Sequence, residues 1–83
     1  MNKLFGEQLK AARKNQEITA QKIAEACGIS RSYLTLIENG RRLPGKKIIP
    51  KLATALGIKT VIVVNWYLED IAGKIKKDLK ISS

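Results

Sequence analysis

The chain has 83 residues, the length of one small domain with a single core. Sixteen Lys and Arg residues against seven Asp and Glu give a net charge of +9, which on so small a body favours a polyanionic partner, either nucleic acid or an anionic membrane. The sequence has no histidine, one cysteine and scattered acids, so we expect no enzymatic activity, no cofactor and no metal site.

The first predicted helix runs from about Lys3 to Asn15, because Phe5, Leu9 and Ala12 recur at helical spacing. Two short amphipathic helices follow within residues 20–39.

The second and third helices are predicted at about 20–27 and from Arg31 to near Asn39. Thr19 and Ser30 are typical N-cap residues, whose hydroxyl groups accept a hydrogen bond from a free amide of the first turn. Gly28 can adopt the left-handed conformation that ends a helix abruptly. The pattern predicts two helices that meet steeply across a tight turn, with the start of the third helix exposed.

A basic loop is predicted from Gly40 to Ile49, and a fourth helix from Pro50 to Leu56, because proline is tolerated at the first helical position. Gly57 ends this helix.

The last segment is ambiguous, because consecutive β-branched residues from Thr60 to Val64 also suit a strand. A helix from about Val61 is favoured by a long stripe of apolar residues at helical spacing, which we expect to cover the core, with fraying or a kink possible at Gly73. The stripe consists of Val61, Val64, Leu68, Ile71 and Ile75.

Residues 20–39, AQKIAEACGISRSYLTLIEN, resemble the helix-turn-helix of the phage-repressor-like (Cro and repressor, XRE-type) DNA-binding family. The resemblance extends upstream through FGEQLKAARKNQEIT and downstream through IENGRRLPGKKIIPKLATALGI, and covers residues 3–58. It implies an all-α repressor-like domain with the DNA-binding core in residues 1–58. Residues 59–83 lie beyond the resemblance; we predict that they are the fifth helix and tail of the same domain and serve dimerisation.

The resemblance also implies roles for individual residues. At the start of the third helix, side chains would meet base edges: Arg31, Ser32, Tyr33 and Thr35. Other side chains would contact phosphates or the minor groove: Gln21, Lys22, Asn39, Arg41, Lys46 and Lys47. Arg13 and Glu38 match an ion pair that fixes the third helix against the first. The family usually has Gln where this chain has Ala20, so we expect Gln21 or Lys22 to take its place in a shifted register.

Each of these groups of residues also has an interpretation that involves no binding partner. The start of the third helix is otherwise an ordinary solvated helix end, and the basic loop an ordinary solvated loop. The fifth helix is apolar on more than one face, which predicts a dimer interface formed by Ile62, Val63, Trp66 and Tyr67. The alternative is that Trp66 belongs to the core of the monomer.

The sequence therefore predicts a sequence-specific regulator, most simply a repressor, that binds double-stranded DNA as a homodimer on a near-palindromic operator. The alternatives are an antitoxin of the same fold that binds a toxin and represses its own operon, and a cationic membrane-surface protein using the basic end GKIKKDLKISS. The lone Cys27 fits a reducing cytoplasm, and neither a signal peptide nor a membrane span is predicted.

Overall fold

Five α-helices follow one another in the computed structural model, which describes residues 4–80, and no strand occurs within that range. This confirms the predicted all-α, five-helix fold. The helices are α1 (Phe5–Asn15), α2 (Ala20–Cys27), α3 (Arg31–Glu38), α4 (Ile48–Leu56) and α5 (Thr60–Asp78).

The helix limits differ from the prediction in three places. The first helix begins at Phe5, while Lys3 lies outside the described residues. The fourth begins two residues before Pro50, which is compatible with a helix because the amides of the first turn have no intrahelical acceptor in any case. The fifth begins at Thr60 and continues through Gly73 to Asp78.

One apolar core joins all five helices. Phe5 and Leu9 of α1, the inner faces of α2 and α3, and one face of α4 are buried in it. On the remaining helix, Val63 is fully buried, and Trp66 and Tyr67 pack against the same core. The fifth helix packs on both α1 and α4, so it belongs to the same body as the helices before it.

The prediction of which face of α5 covers the core was wrong. The core-facing residues are Val63, Trp66, Tyr67 and Asp70, whereas the apolar stripe that begins at Val61 lies mostly on the outside. Both sets repeat at helical spacing, displaced by two residues around the helix. Periodicity identifies an apolar face, but it does not identify what covers that face.

The predicted dimer interface needs the same correction. Val63 has no exposed surface, so it cannot contact a second molecule. Trp66 and Tyr67 are half-buried, and their rings meet Phe5 edge to face, with centroid distances of 6.2 and 6.3 Å. Of the four predicted residues only Ile62 is exposed. The core position proposed as the alternative for Trp66 is therefore the observed one.

Candidate nucleic-acid interface

Three residues with local roles set the start of α2, its end and the start of α3. Gly28 has φ +68° and ψ +31°, the left-handed conformation that ends α2. The Thr19 hydroxyl oxygen accepts a hydrogen bond from the Lys22 amide at 3.2 Å, and that of Ser30 accepts one from the Tyr33 amide at 3.0 Å. The two helices are therefore separate and start where their caps dictate, as the sequence predicts.

The first turn of α3 is exposed, although the opposite face of the helix is deeply buried through Leu34 and Ile37. Arg31 and Ser32 are exposed, and neither side chain hydrogen-bonds to any other residue in the range 4–80. The exposed Thr35 donates its hydroxyl hydrogen to the Arg31 carbonyl oxygen at 3.0 Å. A guanidinium group and a hydroxyl group are thus presented to solvent at the end of a rigid helix.

Tyr33 has a role that the sequence prediction missed. Its side chain is half-buried against the core, and its hydroxyl oxygen accepts a hydrogen bond from the Gly45 amide at 3.3 Å. This contact brings the loop between α3 and α4 next to the start of α3. We therefore assign Tyr33 the positioning of that loop, and its contact with a base stays a prediction.

The predicted backbone-contacting side chains are all exposed. Gln21 and Lys22 lie in the first turn of α2, where the helix dipole favours an anion. Asn39 is the C-cap of α3, and Arg41 lies two residues further on, where its amide donates to the Leu36 carbonyl oxygen at 3.0 Å.

Lys46 and Lys47 form the turn that leads into α4. Within residues 4–80 the only ion pairs are Arg13–Glu38 and Lys74–Asp70, so the cations of the loop and of α3 are not neutralised by acids there. Because the loop lies beside the start of α3, these positive charges and the exposed first turn of α3 share one side of the domain.

Arg13 and Glu38 form the predicted ion pair between α1 and α3. The guanidinium Nε lies 2.7 Å from Glu38 Oε2, Nη2 lies 3.1 Å from Oε1, and Nη1 donates to the Ile18 carbonyl oxygen at 2.9 Å. The side chains are only 11% and 7% exposed. The hydrogen bond to Glu38 raises the pKa of the Arg13 guanidinium. Arg13 is thus committed to holding α3 in place.

Two residues that position the interface were not recognised in the sequence. A Cβ atom at Gly6 would lie 2.1 Å from the Ile37 carbonyl oxygen, so only glycine lets the start of α1 approach the end of α3 this closely. Asp70 of α5 is buried, and its Oδ2 accepts a hydrogen bond from the Phe5 amide at 2.8 Å. It caps α1 from the far end of the chain, while Lys74 Nζ lies 3.1 Å from its other oxygen.

Other kinds of site find little support in this part of the chain. Among residues 4–80, no three His, Cys, Asp or Glu side chains are grouped so that they could hold a metal ion. No helix in the same range is both long and apolar enough to cross a membrane. Burial raises the pKa of the Cys27 thiol, which keeps it in its less reactive protonated form.

Comparison with known proteins gives consistent matches. The family model described as helix-turn-helix matches residues 9–63. The HTH-type transcriptional repressor RghR of Bacillus subtilis is 44% identical over 70 residues, which are 81% of this chain and 52% of that protein. The immunity repressor protein of Bacillus phage phi105 is 39% identical over 59 residues, 71% of this chain and 41% of that protein. The chain thus spans about half the length, or less, of these two relatives.

Among solved structures, the restriction-modification controller protein C.AhdI from Aeromonas hydrophila superposes with a TM-score of 0.67 at 34% identity. The alignment covers 71% of this chain and 89% of that one.

Proposed function

This chain belongs to the helix-turn-helix family of DNA-binding transcriptional regulators, and from that membership we propose that it is a sequence-specific repressor that blocks transcription from its operator. The family match spans most of the segment on which the sequence resemblance rested and confirms it. It also confirms that the domain is that of a regulator and not of an enzyme.

The observation that carries the proposal is the exposed first turn of α3, where the side chains of Arg31 and Ser32 have no hydrogen-bond partner among residues 4–80. The Arg31 guanidinium can bond both O6 and N7 of one guanine, which is worth about 1–3 kcal/mol of discrimination. Ser32 is compatible with several bases, and the methyl group of Thr35 suits contact with a thymine methyl. Such contacts need a fixed helix, which the Gly28 turn and the Arg13–Glu38 pair supply.

The charge distribution supports binding to the phosphate backbone. Lys46 and Lys47 are exposed in the loop that contacts the start of α3, Arg41 is exposed just beyond the end of α3, and Gln21 and Lys22 lie in the first turn of α2. We propose that these groups bind phosphates and set the register, while α3 reads the bases. Affinity for any duplex should then fall steeply with salt, because each neutralised phosphate releases a counterion.

We propose that two copies bind a near-palindromic operator, with their α3 helices in successive major grooves about 34 Å apart. A single short recognition helix contacts few bases, so two half-sites supply the discrimination that one cannot. Repression in the cytoplasm, by occluding a promoter of a phage, a mobile element or a restriction-modification operon, is the simplest function for such a dimer.

The toxin-binding alternative loses its motivation. It required an apolar surface around Trp66, yet Trp66 and Tyr67 pack against Phe5 in the core of the single domain. We therefore retain the repressor as the proposed function.

Selection of bound duplexes from random DNA tests the proposal. We expect enrichment of two inverted half-sites, with centres one helical turn apart. The same selection with Arg31→Ala should relax the preference at one base in each half-site and leave the spacing unchanged. Recovery of sequences without any shared half-site, by the wild-type chain at physiological salt, would refute sequence-specific binding.

A further inference from the structure

The end of α5 carries exposed positive charge that the interface described above does not use. We call Lys76, Lys77 and Lys80 the basic end. All three side chains are exposed, and none forms an ion pair within the described part of the chain. The one acid beside them is Asp78. The basic end is therefore available to an anionic partner.

The helix dipole does not account for this charge by itself. A cation in the last turn of a helix gains about 0.3–1 kcal/mol from the carbonyl end, but salt screens this effect. The last buried residue of α5 is Asp70, and every residue from Lys74 to Lys80 is exposed. Like charges one turn apart destabilise a helix, and turns without tertiary contacts are already marginal in water. A bound anion would remove that repulsion.

The basic end lies just beyond the junction of three helices. The start of α1 packs between α3 and α5, because a Cβ atom at Gly6 would meet the Ile37 carbonyl oxygen, and the Phe5 amide donates to Asp70 at 2.8 Å. From Asp70, the seven residues to Lys77 continue α5 by about 10 Å, or about two helical turns. The basic end is thus close to the end of the recognition helix.

Two arginines lie at the same junction. Gly40 follows α3, and a Cβ atom added to it would lie 3.3 Å from Leu4 Cδ1, so the chain leaves α3 in contact with the residue before α1. Arg41 and Arg42 come next and are exposed. Arg41 is already among the proposed phosphate contacts. The basic end and these arginines therefore flank the start of α1 from two sides.

We propose that the basic end binds the phosphate backbone of the same duplex, beside the base pairs that α3 reads. This inference rests on the proposed DNA-binding function and extends its contact surface beyond the helix-turn-helix. Each DNA strand carries a phosphate about every 3.4 Å of the duplex axis, so a step of about 10 Å corresponds to about three base pairs.

The chemistry of the basic end suits a double-stranded backbone. Lysine ammonium groups bind phosphates as point charges, so they add affinity for any sequence and read no bases. No aromatic residue occurs between positions 74 and 80, so this segment offers no surface on which unpaired bases could stack.

Salt titrations of DNA affinity compare two triple variants that each remove three positive charges. The first neutralises the basic end and contains Lys76→Gln, Lys77→Gln and Lys80→Gln. The matched control neutralises three exposed lysines elsewhere in the domain and contains Lys14→Gln, Lys51→Gln and Lys59→Gln. Far-UV circular dichroism checks that both are folded.

A random-sequence duplex suffices for this comparison, because phosphate contacts are independent of sequence. The basic-end variant should lower the slope of log affinity against log salt concentration by about two to three, since each phosphate contact contributes about 0.9. At about 0.1 M salt its affinity should be at least about tenfold weaker than that of the wild type. The control should keep the wild-type slope.

Shortening the duplex locates the contact. On a half-site enriched from random DNA, removal of flanking base pairs from one side should weaken binding by the wild type and by the control. It should leave the basic-end variant unaffected, because that variant has already lost the contact. Shortening from the other side should affect all three proteins equally.

The outcomes separate this contact from the proposed function. Equal salt slopes in the two triple variants, or equal sensitivity of all three proteins to both flanks, would overturn the contact and leave half-site selection intact. An unchanged slope on DNA, with loss of binding to phosphatidylserine vesicles, would assign the basic end to a membrane surface and also overturn it. If the wild type selects no half-site, the repressor is refuted, while a difference in salt slope on random duplex would still support the basic end.

Discussion

Replacement of Gly6 by alanine tests how α1 seats the recognition helix. Alanine is the better helix former by about 1 kcal/mol, so helix propensity alone predicts a more stable protein. The structure predicts the opposite. The added Cβ would lie 2.1 Å from the Ile37 carbonyl oxygen and 2.7 Å from that of Glu38. Both oxygens belong to the backbone of α3 and its end, so no side-chain rotation relieves the overlap.

The cost follows from the displacement that is needed. Real Cβ atoms essentially never approach a heavy atom closer than 3.0 Å, so α1 and α3 must separate by about 1 Å. A gap of that size forfeits a quarter to a half of the dispersion energy at the contact. Overpacking of this kind costs about 1–3 kcal/mol and occasionally more. We expect Gly6→Ala to destabilise the domain by about 2–3 kcal/mol, and to lower Tm by about 10–20 °C.

Urea and thermal unfolding followed by far-UV circular dichroism measure this change. Gly45→Ala is the matched control, because no atom lies within 4 Å of its added Cβ and its φ is not in the left-handed region. It should change the free energy of unfolding by no more than about 0.5 kcal/mol. A Gly6→Ala protein as stable as the wild type, or more stable, would refute the tight contact between α1 and α3.

Three further predictions concern the ion pair, the DNA contacts and the buried thiol. Glu38→Leu should destabilise the domain by about 2–4 kcal/mol, because it leaves the largely buried Arg13 guanidinium group without its carboxylate partner. Arg13→Met in the same chain should recover part of the lost stability. Strictly additive effects of the two substitutions in a double-mutant cycle would contradict this prediction. In DNA titrations, Arg31→Ala should lose about 1–3 kcal/mol of discrimination at one base. Arg41→Ala should instead lower the affinity for all duplexes alike, and reduce by about one the slope of log affinity against log salt concentration. Equal loss of specificity in both variants would contradict the assignment of Arg31 to a base and Arg41 to a phosphate. Burial raises the pKa of the Cys27 thiol above its ordinary value of 9.0, so the unfolded chain loses the thiol proton first as pH rises. The free energy of unfolding should therefore be unaffected by this thiol well below pH 9.0, and should fall above it by up to about 1.4 kcal/mol per pH unit. A Cys27→Ala protein whose stability declines equally at alkaline pH would contradict this prediction.

Much of the interface could be predicted from the sequence because its determinants are local. The hydroxyl groups of Thr19 and Ser30 accept hydrogen bonds from amides three residues downstream, and Gly28 needs only its own backbone freedom. Such signals lie within one turn of the residues they affect. The limits of α2 and the start of α3 therefore coincide with the prediction. The position of Pro50 shows the limit of this reasoning, since a first-turn proline is compatible with several starting residues.

The contacts that the sequence did not reveal join distant parts of the chain. Asp70 and Phe5 are 65 residues apart, and Gly6 meets the end of α3. An isolated glycine within a helical pattern was the available signal for the second contact. For the fifth helix, two apolar faces coexist, and the choice between them depends on Trp66 and Tyr67 meeting Phe5. That choice is a property of the assembled domain and not of the helix.

The hydrogen bond from the Phe5 amide to Asp70 makes α1 depend on α5. During translation, α1 leaves the ribosome first but lacks its acceptor until Asp70 has also emerged. A nascent or truncated chain that stops after the helix-turn-helix would display α3 on an unfinished scaffold. We expect such a chain to hold α3 less firmly, because the Phe5 amide would have no acceptor and Val63 would be missing from the core.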